Sequence, residues 1–416
     1  MKHLCRFYYI IILLSFGIAY AIWVDEDNDC LFATCEGEDC PGEDELCPQK
    51  EQVNPFNYNI KPLSNTNEIV DSNPNVYCEI HSYNRQHVTF MKCVSNNGSI
   101  SCDGILPIST AVIYECAQFY KPVSKLALCS KSGKWSESIS CIPDCGKTHP
   151  VETLPLILHG SQVEAGQWPW AAALFHHEPD NTWKLICGGT LISTNAVITA
   201  AHCIWKKPPK DLFVMLGHLS RKLPTTNRKD VIFQVKRFYL LPVYRDRING
   251  WSSDIAILVL KTPAKLSRTI LPACLPDKDN ITISPYTMAI VSGWGKNEKY
   301  VESPSLYYAK IPIRDLRKCL THIPQTFHQF LSYTTFCAGY INGTGVCNGD
   351  SGGGLLSKHN EKWELQGIVS VSSRKDSRLL CHPQNYGLFT KVYVFISWIL
   401  EVTRFERKKL EEAEVQ

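Results

Sequence analysis

Three short stretches of this sequence hold residue types that can break an acyl bond. They are Thr199-Ala-Ala-His202-Cys203, Asp254-Ile-Ala-Ile-Leu258 and Gly349-Asp350-Ser351-Gly352-Gly353. A serine hydroxyl is a weak nucleophile near neutral pH; it needs an adjacent base, and the base needs a carboxylate to orient it. Ser351, His202 and Asp254 supply these groups in the chain order His, Asp, Ser. Singly, each has an ordinary reading: the chain carries 13 histidines, and a lone Ser or Asp commonly serves a turn or a cap. Their occurrence together in complete motifs points to nucleophilic catalysis.

Groups so far apart in sequence meet only through a fold. From about residue 157 the pattern is short β-branched runs between Gly, Pro and Asn turns, among them Val231–Val235, Ile255–Leu260, Ala289–Val291 and Gly367–Val371. Such runs predict antiparallel strands of barrels. No period of 20–50 residues repeats, which excludes a solenoid. Val392–Val402 has helical spacing, and Arg404–Gln416 reads as a charged, solvated tail.

The chain has 416 residues and a net charge of +3. That balance gives no electrostatic reason to expect nucleic acid or a polybasic membrane attachment. Apolar residues at 44% and charged residues at 20% argue against wholesale disorder. Nineteen cysteines exceed what a reducing compartment normally holds. Lys2 and Arg6, the apolar run Phe7–Ile18 and Ala19-Tyr20-Ala21 read as a signal peptide over 1–21, too short for a comfortable membrane span. An uncleaved anchor is the alternative. The expected product is secreted and extracellular, beginning near Ile22.

Removing Cys5 with the signal leaves an even set in three groups. Cys30, Cys35, Cys40 and Cys47 lie in an acidic module over 22–51, followed by an Asn-, Pro- and Ser-rich linker over 52–77. Cys78, Cys93, Cys102, Cys116, Cys129 and Cys141 bound a second module over 78–141; six cysteines allow 15 connectivities. Cys145, Cys187, Cys203, Cys274, Cys319, Cys337, Cys347 and Cys381 form the third group. An activation linker over 142–156 leads into a large domain over 157–403, with the tail over 404–416. Asn97, Asn280 and Asn342 head Asn-x-Ser/Thr sites that could carry glycans.

With its three motifs, the segment from Cys145 to about residue 403 resembles the chymotrypsin family of serine proteases. That resemblance implies a mostly β fold, a double antiparallel β-barrel, here preceded by small disulfide-rich β modules. It implies Ser351 as nucleophile, His202 as general base and acid, and Asp254 as the group fixing the imidazole tautomer. The N–H groups of Gly349 and Ser351 would form the oxyanion hole. The implied disulfides are Cys187–Cys203, Cys319–Cys337, Cys347–Cys381 and a tether, Cys145–Cys274. No metal or cofactor is implied for the protease.

Ile157-Leu-His-Gly160, followed by Gly166-Gln-Trp-Pro-Trp170, is similar to the family's mature start, with His159 where Gly is usual. Cutting Leu156–Ile157 would free an ammonium to pair with Asp350 and order the oxyanion loop. The pocket floor would be Gly345, where trypsin-like members carry Asp, with Gly387 and Ser372 as walls. An apolar side chain such as Leu would then be preferred, which suits Leu156 and suggests self-activation.

Upstream, Val112-Ile-Tyr-Glu-Cys116, Cys129-Ser-Lys-Ser-Gly-Lys-Trp135 and Cys141-Ile-Pro resemble a sushi module. Its pattern suggests Cys78–Cys129 and Cys116–Cys141, with Cys93–Cys102 as an extra pair. Such modules bind proteins or serve as spacers. The acidic module resembles the end of an LDL-receptor class A repeat, whose carboxylates bind calcium. A degenerate disulfide knot with solvated charges stays open there. The combination resembles arthropod modular serine proteases. That family implies recruitment by a recognition protein and a downstream protease zymogen as substrate, in cascades leading to Toll signalling or prophenoloxidase activation. Alternatives are a catalytically vestigial adaptor and a digestive or venom protease.

Overall fold

The computed structural model describes residues 13–14, 17–18, 23–24, 30–31, 76–80, 86–96, 98–148, 160–224, 230–245, 253–277, 283–296, 301–341, 345–347, 349–371 and 385–414. The chain divides into two units, Met1–Ser72 and Asn73–Gln416. In the first, the described residues form two short antiparallel pairs, Leu13–Leu14 with Gly17–Ile18 and Trp23–Val24 with Cys30–Leu31. The signal-peptide, acidic-module and linker readings otherwise lie outside the described residues. The last two linker residues are an exception: Val76 is described, and the strand Tyr77–Glu79 includes Tyr77.

The second unit begins with a small β module. Its main sheet orders the strands Ala127–Leu128, Ala111–Cys116, Val88–Ser95 and Gly98–Ile100. Along Ala111–Cys116 the side chains alternate, Val112 and Tyr114 buried, Ile113 and Glu115 exposed. That period of two follows from the pleat. Ile80, Leu106, Val112, Tyr114, Ala127 and Ile139 make the core. A core this small needs staples. Cys78–Cys129, Cys93–Cys102 and Cys116–Cys141 supply them. Trp135 closes one end, its indole N–H donating to the Glu79 carbonyl at 3.0 Å.

Residues after the module lie against the large domain. Cys145 is bonded to Cys274, Gly146 N–H donates to Pro272 O at 2.8 Å, and Trp363 N–H donates to Gly146 O at 3.1 Å. Gly146 has φ +69°, and a Cβ there would stand 2.8 Å from the Trp363 backbone and 2.9 Å from Cys274 Sγ. Only glycine fits that approach.

The large domain is built from two β layers. Ala171–His177, Trp183–Leu191, Ala196–Thr199, Ala256–Leu260, Ile232–Leu240 and Leu212–Leu216 close into a six-stranded antiparallel barrel. Continuous apolar runs mark strands covered on both faces; Ala256–Leu260 is buried at every position. The second layer orders Ser161–Gln162, Tyr307–Pro312, Met288–Gly293, Gly354–His359, Lys362–Val371, Gly387–Lys391 and Thr335–Ala338. A bridge between Ile313 and Ala338 joins the end of Tyr307–Pro312, the second strand, to the far edge strand Thr335–Ala338. The double-barrel fold class holds, and the four apolar runs cited above fall in or against these strands.

One reading is corrected. Of the charged tail expected over 404–416, residues 404–414 are no free end: a helix of 19 residues runs Ile396–Glu414. Glu406 within it is 3% exposed, accepts a hydrogen bond from Tyr239 Oη at 2.5 Å and lies 3.8 Å from Arg237 Nε. A buried carboxylate survives where it is paired and hydrogen-bonded. These partners hold the helix to the first barrel well past residue 403.

Candidate active site

His202 sits in the short helix Ala201–Ile204, which follows the buried strand Ala196–Thr199. Cys203–Cys187 fastens that helix to the neighbouring strand Trp183–Leu191. Next to Cys187, Gly188 N–H donates to the Ser351 carbonyl at 2.7 Å. The His202 helix and the Ser351 turn are thus anchored to adjacent residues of one strand. Gly352 completes the approach: at φ +80°, a Cβ there would lie 2.3 Å from Thr199 Oγ1 and 2.5 Å from Gly188 O.

Asp254 is fully buried. Its Oδ2 accepts from His202 Nδ1 at 2.8 Å and from Ser370 Oγ at 2.6 Å, and its Oδ1 accepts from His202 N–H at 2.9 Å. Its backbone carbonyl accepts from Thr390 Oγ1 at 3.0 Å. Burial alone would push this carboxyl up. The attraction of the His202 ring and the hydrogen bonds from His202 and Ser370 outweigh it and hold the group below the usual carboxylate range. An ionised carboxylate on Nδ1 fixes the tautomer that leaves Nε2 as the acceptor.

Around Ser351 the backbone is sorted in a telling way. The N–H groups of Asp350, Gly352 and Gly353 bond to the carbonyls of Cys347, Val369 and Asp350. Among the described residues, those of Gly349 and Ser351 make no bond. Gly349 has φ +101°, a left-handed conformation in which glycine meets no Cβ penalty. Two flanking donors left over at a turn are what an oxyanion needs.

The Asp350 side chain turns away from Ser351. Its Oδ1 accepts from Gly295 N–H at 2.8 Å and its Oδ2 from Cys347 N–H at 2.9 Å. A Cβ on Gly293 or Gly295 would fall 2.0 or 2.4 Å from this carboxyl. Burial pushes the group up to about 6 against the pull of those N–H donors and of Arg221. Beside it lies a cavity of about 330 Å³, lined by Gly160, Gly293, Gly295, Tyr308 and Asp350 among others.

The expected pocket-floor residue Gly345 and its neighbour Val346 line this same cavity, and among the described residues a side chain on Gly345 would meet open space. Val346, 8% exposed, has Cγ2 only 2.5 Å from a Cβ built on Gly387. The site therefore offers no carboxylate at 345 and an apolar wall at 346. Leu156, Ile157, Ser372, Cys381 and the glycan-site residues Asn97, Asn280 and Asn342 lie outside the described residues. Cys347 is disulfide-bonded, and Cys319 is bonded to Cys337. Ligand atoms of Cys187, His202 and Cys203 gather within 4.8 Å, but the two sulfurs are bonded to each other and offer no thiolate to a metal.

Sequence reasoning passed over Ser370, Thr390 and Val346. A polar residue inside the apolar run Gly367–Val371 was the available signal for Ser370, since a buried hydroxyl requires a partner. Val346 adjoins the floor residue and was readable as part of the same wall.

The family model described as Trypsin matches residues 157–399. Clotting factor C of Tachypleus tridentatus is 34% identical over 323 residues, covering 71% of this chain and 30% of that protein. Limulus clotting factor C of Carcinoscorpius rotundicauda matches to the same extent. Vitamin K-dependent protein C of Mus musculus is 32% identical over 284 residues, covering 65% of this chain and 57% of that protein. The chain thus spans under a third of the length of the clotting factors it matches. Matched over more than half its length, the chain belongs to the trypsin family.

Proposed function

We propose that the protein is a secreted zymogen, an endopeptidase cut at Leu156–Ile157 that initiates an extracellular proteolytic cascade. In the reaction, Ser351 Oγ attacks the scissile carbonyl as His202 Nε2 takes its proton. Asp254 stabilises the resulting imidazolium, and the Gly349 and Ser351 N–H groups receive the oxyanion. His202 then returns the proton to the leaving amine. Water enters by the same route in reverse and frees the enzyme.

The observation that carries the zymogen reading is the Asp350 carboxyl beside its cavity. Ser161 pairs with Tyr308 and Gly160 lines the cavity, so a new terminus at Ile157 starts three residues away. Three residues reach about 10 Å when extended, enough to bring an ammonium to the carboxylate. Pairing would offset the cost of keeping that charge dry. The lack of a carboxylate at Gly345 and the apolar side chain of Val346 support a preference for Leu-like side chains, which Leu156 itself satisfies. Clustered zymogens would then activate one another.

The cascade role is supported by the clotting factors among the relatives and by upstream modules tethered through Cys145–Cys274. A downstream protease zymogen is the proposed substrate, and a recognition protein bound by the modules the proposed recruiter. Calcium at the acidic module belongs to the same proposal. Concentrated wild type and Ser351→Ala zymogen, incubated separately, test the reading. N-terminal sequencing should find Ile157 exposed only in the wild type; equal cutting of both would reject self-activation.

A further inference from the structure

The carboxyl of Asp350 is shaped by the backbone of Gly293, Trp294 and Gly295, and that backbone is itself held from outside. Arg221, in the loop after the strand Leu212–Leu216, donates through Nη1 to the Trp294 carbonyl at 2.5 Å. Its Nη2 stands 2.9 Å from Glu302 Oε1. One guanidinium therefore grips both Trp294 and Glu302. The loop is knitted to the same region by its backbone. Arg221 N–H donates to Pro304 O at 2.9 Å, and Leu306 N–H donates to Leu219 O at 2.8 Å. Trp294 Nε1–H donates to Leu219 O at 2.8 Å, and Ser220 bridges Ser305.

We propose that Arg221 is a positioning residue that sets the oxyanion turn before the activating cut. The route is a short chain of contacts. Arg221 fixes the Trp294 carbonyl, which fixes the next peptide. The Gly295 N–H on that peptide holds Asp350 Oδ1 at 2.8 Å, and Asp350 lies between the two free donors, Gly349 and Ser351. A planar fork can grip two acceptors at once, which an ammonium cannot do with the same geometry. Of the two grips, the one on Trp294 matters more: Glu302 is 57% exposed, and exposed ion pairs contribute little. The guanidinium charge also favours the ionised form of Asp350, opposing burial.

This rests on the activation reading above and adds a residue to it. A zymogen that activates its own copies needs some competence while uncut, and a turn held through Trp294 and Gly295 supplies it. After the cut, an ammonium on Asp350 makes the outer grip less necessary. The uncut form should therefore depend on Arg221 more than the cut form does.

The test uses the full chain in a Leu156→Pro background, which blocks the activating cut, with the rate of Ser351 labelling by a fluorophosphonate as the readout. Arg221→Gln should slow labelling of the uncut chain about tenfold. In chain with its native activation site, cut to completion by added active enzyme, the same change should lower kcat less than about threefold at unchanged KM. Should the Gln variant fail to fold, Arg221→Lys keeps the charge and stem but loses the fork, and should slow uncut labelling about threefold. Unchanged uncut labelling in the Gln variant, wild-type labelling in the Lys variant, equal losses in both forms, or no labelling of the uncut parent would overturn the proposal. Full activity of the cut Asp350→Asn variant would instead reject the activation reading itself.

Discussion

Replacing Asp350 with Asn in the uncut chain should change how stability depends on pH, by an amount that follows from the site. The carboxyl titrates near 6 in the folded chain against 3.8 ordinarily. Between those values the folded state holds the proton and the unfolded state has released it, so stability falls as pH rises through that window. The stabilising contribution of the neutral acid is complete below 3.8 and gone above about 6. At 1.36 kcal/mol per unit, the whole window is worth about 3 kcal/mol, of which about 2 kcal/mol lies above pH 4.5. Asn cannot ionise, so the variant lacks this slope. Asp254 titrates with the opposite sign: its carboxyl is held below the usual range, so its contribution is lost only as pH falls through that depressed value. A scan from pH 4.5 to 8 avoids it. The assay is urea unfolding followed by tryptophan fluorescence, on uncut chain in a Ser351→Ala background. The uncut parent should lose midpoint across the scan relative to Asp350→Asn. Parallel curves for the two proteins would show that Asp350 does not take up a proton on folding.

Other outcomes follow from neighbouring contacts. Gly345→Asp places a carboxylate in open space at the pocket floor, and should raise hydrolysis after Arg at least tenfold while lowering it after Leu, read by peptide-amide kinetics. Ser370→Ala removes a donor 2.6 Å from Asp254; it should lower kcat about tenfold with KM nearly unchanged, and the acid limb of the pH–rate profile should shift. Gly352→Ala puts a Cβ 2.3 Å from Thr199 Oγ1 at φ +80° and should cost at least about 3 kcal/mol in denaturant unfolding. Cys274→Ser should let the upstream modules separate from the cut protease on a non-reducing gel, whereas the parent stays joined through Cys145–Cys274.

The site was legible because its chemistry is carried by contiguous motifs. His202, Asp254 and Ser351 each sit in a local sequence that states both the residue and its turn. The strands around them were legible as apolar runs, since barrel strands covered on both faces leave little room for polar residues. What escaped reading was whatever depends on distant partners. Glu406 occupies a core position on the last helix, four residues after Val402 and four before Leu410. A carboxylate there hides the periodicity that would have extended the helix, and only Tyr239 and Arg237 explain it. Arg221 and Glu302 stand far apart in sequence and lie in loops, where charge is the common expectation. Ser370 and Thr390 look like ordinary β-strand residues until the fold places both against Asp254.

Ser351 is proposed to cut peptide bonds from a pocket with no charge at its floor. Profiling a peptide library with enzyme cut at Leu156–Ile157, beside a Ser351→Ala control, tests it most directly. The active enzyme should cleave after Leu and similar apolar residues, and the control should cleave nothing. Cleavage mainly after Arg or Lys, or cleavage that survives in Ser351→Ala, would contradict it.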